Sequence, residues 1–185
     1  MTWIFGYGSL MWEPGFAYQE RKSAQLSGYH REFCMVATRN RGTKEVPGMV
    51  LSLAPGGQVV GMAYRIERAQ EPQALSYLDE REGVGRAHRR VVVPVGAWEA
   101  RQPGAFFPTW TYLPILTSPS YRCTLSLQER ARLVAMGRGI KGTSFDYLRL
   151  LLRELAQLGV SEPALEELFE CTRSLMPEQA ALSAD

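Results

Sequence analysis

A short glycine-rich run near the start of the chain has the composition of an anion-binding loop. Gly6-Tyr7-Gly8-Ser9-Leu10 places two glycines around one residue, directly after the β-prone run Trp3-Ile4-Phe5. Glycines at this spacing let the backbone turn sharply, so that successive N–H groups face a common point and can bind a carboxylate or a developing oxyanion. An ordinary turn between a strand and a loop explains the same residues without a ligand.

A cluster of carboxylates near the middle of the chain could supply a general base. Asp79, Glu80 and Glu82 lie at the end of a predicted helix and run into Gly83. A carboxylate at such a junction can point into a cavity and transfer protons. The plainer interpretation is a solvated helix end that Gly83 closes as its C-cap.

Other chemistries find little support in the residue types. Ser9 lies outside any Gly-x-Ser-x-Gly elbow and has no evident His–Asp partners, which argues against a serine hydrolase. The sequence holds two histidines, His30 and His88, and three widely spaced cysteines, listed as Cys34, Cys123 and Cys171. Metal sites use more closely spaced ligands. We therefore expect no metal site, and we interpret Cys34 as a core residue.

The elements that must position these residues are strands in the first two-thirds of the chain. Trp3 to Tyr7 predicts a buried strand that ends in a tight loop. Ala54-Pro55-Gly56-Gly57-Gln58 separates two apolar runs, 48–53 and 59–66, and predicts a β-hairpin. Further strands are predicted over residues 90–95 and 105–113.

Helices are predicted mainly after residue 125, with a shorter one at 69–80. Ser126 and Glu129 have the spacing of a capping box. Thr143 is a predicted N-cap for a helix with a leucine-rich stripe, and Pro163 fits the first turn of a last helix. Strands followed by helices, without a βαβ alternation, predict an α+β fold with a mainly antiparallel, barrel-like sheet over residues 2–115 and peripheral helices.

Length and composition set further expectations. The chain has 185 residues, with 45% apolar and 22% charged residues, and we expect one domain over 1–185 whose tail frays after about residue 177. The net charge of +2 gives no electrostatic reason to expect nucleic acid as a partner. The apolar runs are shorter than a membrane helix requires, and the first residues do not resemble a signal peptide. We expect a cytoplasmic protein without a membrane partner.

Taken together, the two motifs resemble the γ-glutamylcyclotransferase superfamily, and most closely its ChaC-type, glutathione-degrading branch. The run from Trp3 to Trp12 resembles the ChaC opening with its Tyr-Gly-Ser-Leu signature. Residues 77–82 resemble the family's Tyr-Leu-Asp-x-Arg-Glu, whose last glutamate is the catalytic acid/base. Ser118-Pro119-Ser120-Tyr121 is similar to a segment whose tyrosine lines the active site in related cyclotransferases. The chain departs from the family at Gly83-Val84-Gly85-Arg86, where ChaC-type chains usually reach a tyrosine.

The resemblance implies an enzyme that cleaves glutathione to 5-oxoproline and cysteinylglycine. Glu82 is then the catalytic residue, and the implied substrate-binding residues are Tyr7, Gly8, Ser9, Leu10 and Tyr121. The reaction needs no metal, no cofactor and no obligatory protein partner. Two alternatives stay open: a cyclotransferase for other γ-glutamyl amines or amino acids, and a non-catalytic ligand-binding member of the same fold.

Overall fold

Five strands form a closed β-barrel. The computed structural model describes residues 1–99 and 102–176. Within these residues the barrel strands are β1 (Thr2–Gly6), β2 (Glu20–Ala37), β3 (Gly48–Ile66), β4 (His88–Glu99) and β5 (Gln102–Pro114). Their order around the barrel is β1-β3-β2-β4-β5. Antiparallel pairing joins β1 to β3, β2 to β4 and β4 to β5, whereas β1 and β5 meet in parallel. The predicted α+β fold with a mainly antiparallel, barrel-like sheet is confirmed.

The helices begin close to the predicted positions. They are α1 (Glu71–Glu82), α2 (Leu127–Met136), α3 (Ser144–Gln157) and α4 (Pro163–Ser174), and a short hairpin of β6 (Arg138–Gly139) and β7 (Gly142–Thr143) connects α2 to α3. Ser126 forms the predicted capping box with Glu129, and the Thr143 side chain accepts from the Asp146 amide as the predicted N-cap. The tail expected to fray after residue 177 lies outside the described residues.

The residue contacts divide the chain into two compact units. The first unit contains residues 1–31 and 53–118, and the second contains residues 32–52 and the chain from Pro119 onward. The long strands β2 and β3 each contribute residues to both units. The expectation of a single domain over 1–185 stays a prediction.

In the first unit, α1 is fixed to the barrel along its whole length. Its buried residues Ala74, Leu75 and Leu78 lie on one helical face and pack in a cluster with four residues from the barrel and the following loop, listed as Ile4, Leu10, Ile66 and Tyr112. At the start of the helix, the Glu71 carboxylate accepts hydrogen bonds from the Thr2 hydroxyl of β1 (2.6 Å) and the Trp110 indole of β5 (3.0 Å). The position of α1 is therefore set by packing along one face and by a polar anchor at its first residue.

In the second unit, close backbone approach fixes the connection between α2 and α3. A Cβ added to Gly139 would lie 2.4 Å from the Arg39 carbonyl oxygen. The amides of Ile140 and Lys141 donate to the carbonyls of Arg39 and Asn40, at 3.0 and 2.9 Å. These backbone contacts hold the loop over residues 137–142 in place between α2 and α3.

The predicted hairpin around residues 54–58 is wrong. β3 continues through these residues as one strand, although Gly56 and Gly57 adopt positive φ angles of 98° and 75°. A positive φ permits a bulge as well as a reversal, and here the neighbouring strand β2 supplies a partner, because His30 Nδ1 lies 3.0 Å from the Gly56 carbonyl oxygen. The two glycines therefore do not end the strand.

We predict that Gly61→Ala destabilises the first unit. A Cβ at Gly61 of β3 would lie 2.3 Å from the carbonyl oxygen of Gly6 in β1, so the two paired strands must separate. We expect the free energy of unfolding, measured by urea denaturation, to fall by about 1–3 kcal/mol. Gly104→Ala in β5 is the control, since its Cβ would come no closer than 3.2 Å to another heavy atom. Equal losses in the two variants would contradict this explanation.

Candidate active site

The loop after β1 is compact because small residues let its backbone fold back on itself. A Cβ added to Gly6 would lie 2.4 Å from the Cβ of Leu10. Leu10 is buried in the core cluster of the first unit, and residues Ser9–Met11 form one turn of 3-10 helix directly after Gly8. A larger residue at position 6 would push Leu10 out of the core, so Gly6 is required by close packing.

The carbonyl groups of this loop are held by defined partners. Tyr7 O accepts from Arg31 Nε (2.7 Å), Gly8 O from the Met11 amide (2.9 Å), and Ser9 O from the Glu13 amide (2.9 Å). In a trans peptide the C=O and the following N–H point in opposite directions. The amides of residues 8–10 therefore face away from these partners, at the N-terminal end of the 3-10 turn, where amides lack intrahelical acceptors.

A buried arginine supports the loop from the barrel side. Arg31 is only 3% exposed. In addition to the Tyr7 carbonyl, its guanidinium contacts the carbonyl of Val60 and the sulfur of Met11. Hydrogen bonds from a charged donor are stronger than neutral ones, so this contact fixes the Tyr7 peptide firmly. The positive charge beneath the loop also favours negative charge developing beside it.

Glu82 is the last residue of α1, and its backbone is held on both sides. Gly83 ends the helix in the left-handed conformation at φ 62°, as predicted for a C-cap. The Nδ1 atom of buried His88 lies 2.8 Å from the Glu82 carbonyl oxygen. Because a carbonyl only accepts, Nδ1 of His88 carries the hydrogen. The Glu82 side chain is 21% exposed, so its carboxylate is partly shielded and still reachable.

Arg81 brings the two motifs together. Its Nη2 donates to the Ser9 hydroxyl oxygen at 2.9 Å, and its Nε lies 3.7 Å from a Glu82 carboxylate oxygen. Its Nη1 donates to the Glu13 carbonyl at 2.6 Å and to the Tyr77 hydroxyl at 3.1 Å. The Arg81 side chain is 9% exposed, and one guanidinium therefore contacts both the Tyr-Gly-Ser-Leu loop and the carboxylate.

The other carboxylates of the cluster have different environments. Asp79 accepts from the hydroxyl of Tyr112 (2.9 Å) and from Arg90 Nη1 (2.8 Å), which joins α1 to the barrel. Burial of Tyr112 and its hydrogen bond to Asp79 raise the pKa of the phenol, so it remains a hydrogen-bond donor. Glu80 is exposed. Among the three acidic side chains, Glu82 neighbours Arg81, and the Arg81 guanidinium contacts Ser9 of the glycine-rich loop.

Two of the predicted substrate-binding tyrosines have well-defined neighbours. The Tyr7 hydroxyl donates to the Tyr112 carbonyl at 2.6 Å inside the first unit, so this phenol is engaged with the barrel. Tyr121 belongs to the second unit, where it forms an isolated antiparallel bridge with Met35. Burial and hydrogen bonds to the thiols of Cys123 and Cys34 raise the pKa of the Tyr121 phenol.

A cavity of about 310 Å³ lies next to α1. Its lining residues are Gly15, Phe16, Ala17, Gln70, Gln73, Ala74 and Tyr77. None of the predicted site residues lines it. Within residues 1–99 and 102–176, no group of three or more His, Cys, Asp or Glu side chains is arranged to hold a metal ion. In the same part of the chain, no helix has the length and apolar character needed to cross a membrane.

Comparison with known proteins identifies the family. The sequence model of the ChaC-like proteins matches residues 2–175, which includes both motifs. The chain belongs to the ChaC-like protein family. The resemblance stated from the two motifs is thereby confirmed.

Relatives of this ChaC-like protein match it over nearly its whole length. It is 33% identical to the glutathione-specific γ-glutamylcyclotransferase of Escherichia coli (strain K12) over 96% of this chain and 75% of that protein. It is 31% identical to the enzyme of the same name from Schizosaccharomyces pombe over 95% and 85%. A crystal structure of a yeast γ-glutamyl cyclotransferase specific to glutathione superposes with a TM-score of 0.85 at 22% identity, covering 95% of this chain and 96% of that one. This last likeness shows that the fold is shared.

Sequence reasoning missed the residues that hold the site together. Arg31 and His88 belong to no sequence motif that would set them apart from ordinary solvated basic residues. They are distinguished by their burial, which the sequence does not show. Arg81 lies inside the recognised motif, directly before Glu82. Its position next to Glu82 in the sequence could have indicated a contact with the site. Charged residues at a helix end are usually solvated, however, so this position alone did not reveal its role.

We predict that Arg81→Met loosens the loop and lowers activity. Each hydrogen bond from a charged group contributes about 1.5–3 kcal/mol, so amide hydrogen exchange over residues 9–14 should speed up by about tenfold or more. Arg81→Lys should not restore protection, because a single ammonium lacks the fork that reaches Ser9 and Glu13 together.

Arg86→Gln is the matched control for this prediction. It removes the same charge from an exposed residue a few positions along the chain. Exchange over residues 9–14 that is unchanged in Arg81→Met, or equally faster in Arg86→Gln, would contradict the bridging role of Arg81.

Proposed function

We propose that this ChaC-like protein is a γ-glutamylcyclotransferase that converts glutathione to 5-oxoproline and cysteinylglycine. The observation that carries the proposal is the Arg81 guanidinium, which contacts both Ser9 of the glycine-rich loop and the Glu82 carboxylate. Relatives named glutathione-specific γ-glutamylcyclotransferase, at 31–33% identity over most of the chain, support the choice of substrate.

The reaction is an intramolecular acyl transfer. The α-amine of the γ-glutamyl group attacks its own γ-carbonyl carbon, a new C–N bond closes the five-membered ring, and the C–N bond to the cysteinyl nitrogen breaks. The nucleophile belongs to the substrate, so no nucleophilic side chain and no cofactor is required. Ring closure within one molecule supplies much of the proximity advantage.

Glu82 is the proposed proton carrier. The α-amine arrives as an ammonium and must lose a proton before it attacks, and the departing cysteinyl nitrogen must gain one. A single carboxylate can accept the first proton and deliver it to the leaving group. Glu82 is partly shielded, its backbone is fixed through His88, and Arg81 orients its side chain.

The loop amides are the proposed oxyanion donors. The tetrahedral intermediate carries a negative oxygen, and a pre-oriented donor contributes roughly 3–4 kcal/mol to its stabilisation. The amides of Gly8, Ser9 and Leu10 point away from the groups that bind the loop carbonyls. Arg31 fixes the first of these peptides, because it donates to the Tyr7 carbonyl oxygen. Tyr121 is retained as a substrate-binding residue on the resemblance of its segment to that of related cyclotransferases.

The cellular setting is also a proposal. Cys34, Cys123 and Cys171 are all free thiols, which fits a reducing compartment such as the cytoplasm. We propose a small-molecule substrate and no nucleic-acid, membrane or obligatory protein partner.

The direct test is to incubate the purified protein with glutathione and to measure 5-oxoproline and cysteinylglycine. Equal amounts of both products support the proposal. Absence of both at high enzyme concentration would exclude it and leave a ligand-binding role, which titration with glutathione would then reveal. A panel of other γ-glutamyl amines and amino acids separates glutathione from the alternative substrates.

We predict that Glu82→Gln abolishes turnover while the protein stays folded. The amide keeps the shape of the side chain but cannot carry the proton between the two nitrogens, so kcat should fall by at least ~10²–10⁴-fold. Glu80→Gln is the matched control: it changes the same residue type in the same helical turn, on an exposed side chain. Its activity should stay within about tenfold of the wild type, because exposed carboxylates at a helix end contribute little.

The Ser9→Ala variant adds a control for mechanism. A serine hydrolase would lose all activity, whereas an enzyme that uses loop amides should retain appreciable turnover. Loss of activity in Ser9→Ala but not in Glu82→Gln would show that the roles are assigned wrongly.

We predict that Tyr121→Phe lowers turnover without unfolding the protein. The substitution removes only the hydroxyl, so the ring keeps its packing while the proposed contact to the glutamyl group is lost. Steady-state kinetics and circular dichroism measure the two effects. Tyr147→Phe is the control, because it removes a hydroxyl from a buried tyrosine of the same unit that packs against Phe33. Equal kinetics of Tyr121→Phe and wild type would exclude a role for this phenol.

A further inference from the structure

The second unit holds two free thiols next to each other. Cys34 is buried in β2, Cys123 is half-buried in the segment before α2, and the two side chains are hydrogen-bonding partners. The cyclotransferase chemistry above assigns them no role. Two thiols in contact are the arrangement from which a disulfide can form.

The backbone brings the two cysteines close together. Met35 and Tyr121 pair in an antiparallel bridge, and the Arg122 amide donates to the Cys34 carbonyl at 2.6 Å. In this register Arg122 lies opposite Cys34, and Cys123 is the next residue along the chain. Opposite Cα atoms in antiparallel pairs are about 4.5–5.5 Å apart and a strand rises about 3.4 Å per residue, so a residue one step along lies about 6 Å away. Disulfides span about 4.4–6.8 Å between Cα atoms. Because the two thiols are hydrogen-bonding partners, their side chains point toward each other.

The segment that carries Cys123 is also anchored. Arg130 Nη2 of α2 donates to the Cys123 carbonyl at 3.1 Å, and the same guanidinium pairs with Glu32 of β2. Cys34 and Glu32 lie on one strand, so Arg130 holds the Cys123 backbone against the strand that carries its partner thiol.

The thiol pair is coupled to Tyr121. The Tyr121 phenol hydrogen-bonds with the side chains of both Cys123 and Cys34. A disulfide removes both S–H donors and brings the two sulfurs to about 2.05 Å. Oxidation therefore changes every thiol contact of the phenol.

We propose that Cys34 and Cys123 form a reversible dithiol–disulfide pair that resets the position of Tyr121. The oxidant is a small disulfide of the glutathione type. The Cys123 thiolate attacks one sulfur of that disulfide, which forms a mixed disulfide and releases one thiol. Cys34 then attacks the Cys123 sulfur and releases the second thiol. The protein loses two electrons and two protons, and the small disulfide gains them.

The order of the two steps follows from exposure. Cys123 is half-buried and reachable from solvent, whereas burial raises the pKa of the Cys34 thiol and keeps it protonated. Cys123 is therefore the attacking thiol and Cys34 the resolving one. Only the effect on turnover rests on the proposed function; the formation of the disulfide does not.

The first test maps the bond itself. The folded protein is incubated with glutathione disulfide, alkylated, digested and examined by mass spectrometry, with Cys171→Ser as the background that removes the third thiol. We expect a peptide pair joined through Cys34 and Cys123, which dithiothreitol separates. Cys34→Ser should instead accumulate glutathione on Cys123, because the resolving thiol is missing. Recovery of both cysteines in alkylated form, or of separate glutathione adducts on the two, would overturn the proposal.

The second test measures turnover after the glutathione disulfide is removed by desalting. In Cys171→Ser we expect oxidation to lower turnover of glutathione by several-fold, and reduction to restore it. Cys34→Ser and Cys123→Ser should lose this reversible response. An internal disulfide that leaves turnover unchanged would overturn the coupling to Tyr121. Absence of turnover in the reduced protein would instead reject the proposed function, while the peptide map would still decide whether the pair forms.

Discussion

The contact of the Arg81 guanidinium with both motifs is the interaction on which the site depends. The glycine-rich loop and Glu82 are about seventy residues apart in the sequence, and each alone has an ordinary structural explanation. One planar, permanently charged group can donate to the Ser9 hydroxyl and the Glu13 carbonyl and still neighbour the Glu82 carboxylate. Because its side chain is largely buried, solvent screens these interactions little. The geometry of the proposed acid/base relative to the proposed oxyanion donors follows from this single residue.

The framework around Arg81 limits how far either partner can move. The packing of Leu75 and Leu78 into the core cluster fixes the face of α1, and Asp79 ties its last turn to Tyr112 and Arg90 of the barrel. On the other side, Arg31 holds the Tyr7 peptide from within the barrel. Proton transfer and oxyanion stabilisation both require geometry held to a fraction of an ångström, and rigid elements supply it more reliably than loops. The catalytic groups proposed here are thus carried by the end of a helix and by a loop with fixed carbonyls.

Much of this fold could be predicted from local sequence signals, whereas the features that depend on tertiary contacts could not. The capping box of Ser126, the N-cap Thr143 and the C-cap Gly83 each follow from chemistry within one turn. β2 escaped prediction because charged residues and Gly28 interrupt its alternation. The hairpin at 54–58 was wrong because β3 continues through these residues as one strand beside β2. The site motifs were visible as residue types and spacing. Arg31 and His88 were not, since their roles arise from burial that only the folded chain creates.

The measurement that tests the account most directly is a crystal structure of Glu82→Gln with glutathione bound. The variant keeps the shape of the site and is expected not to consume its ligand. We predict that the α-amine lies within hydrogen-bond distance of the residue 82 side chain and that the γ-carbonyl oxygen faces the amides of residues 8–10. Glutathione bound in the cavity beside Phe16 and Tyr77, or with its γ-carbonyl turned away from the loop, would contradict the proposed mechanism.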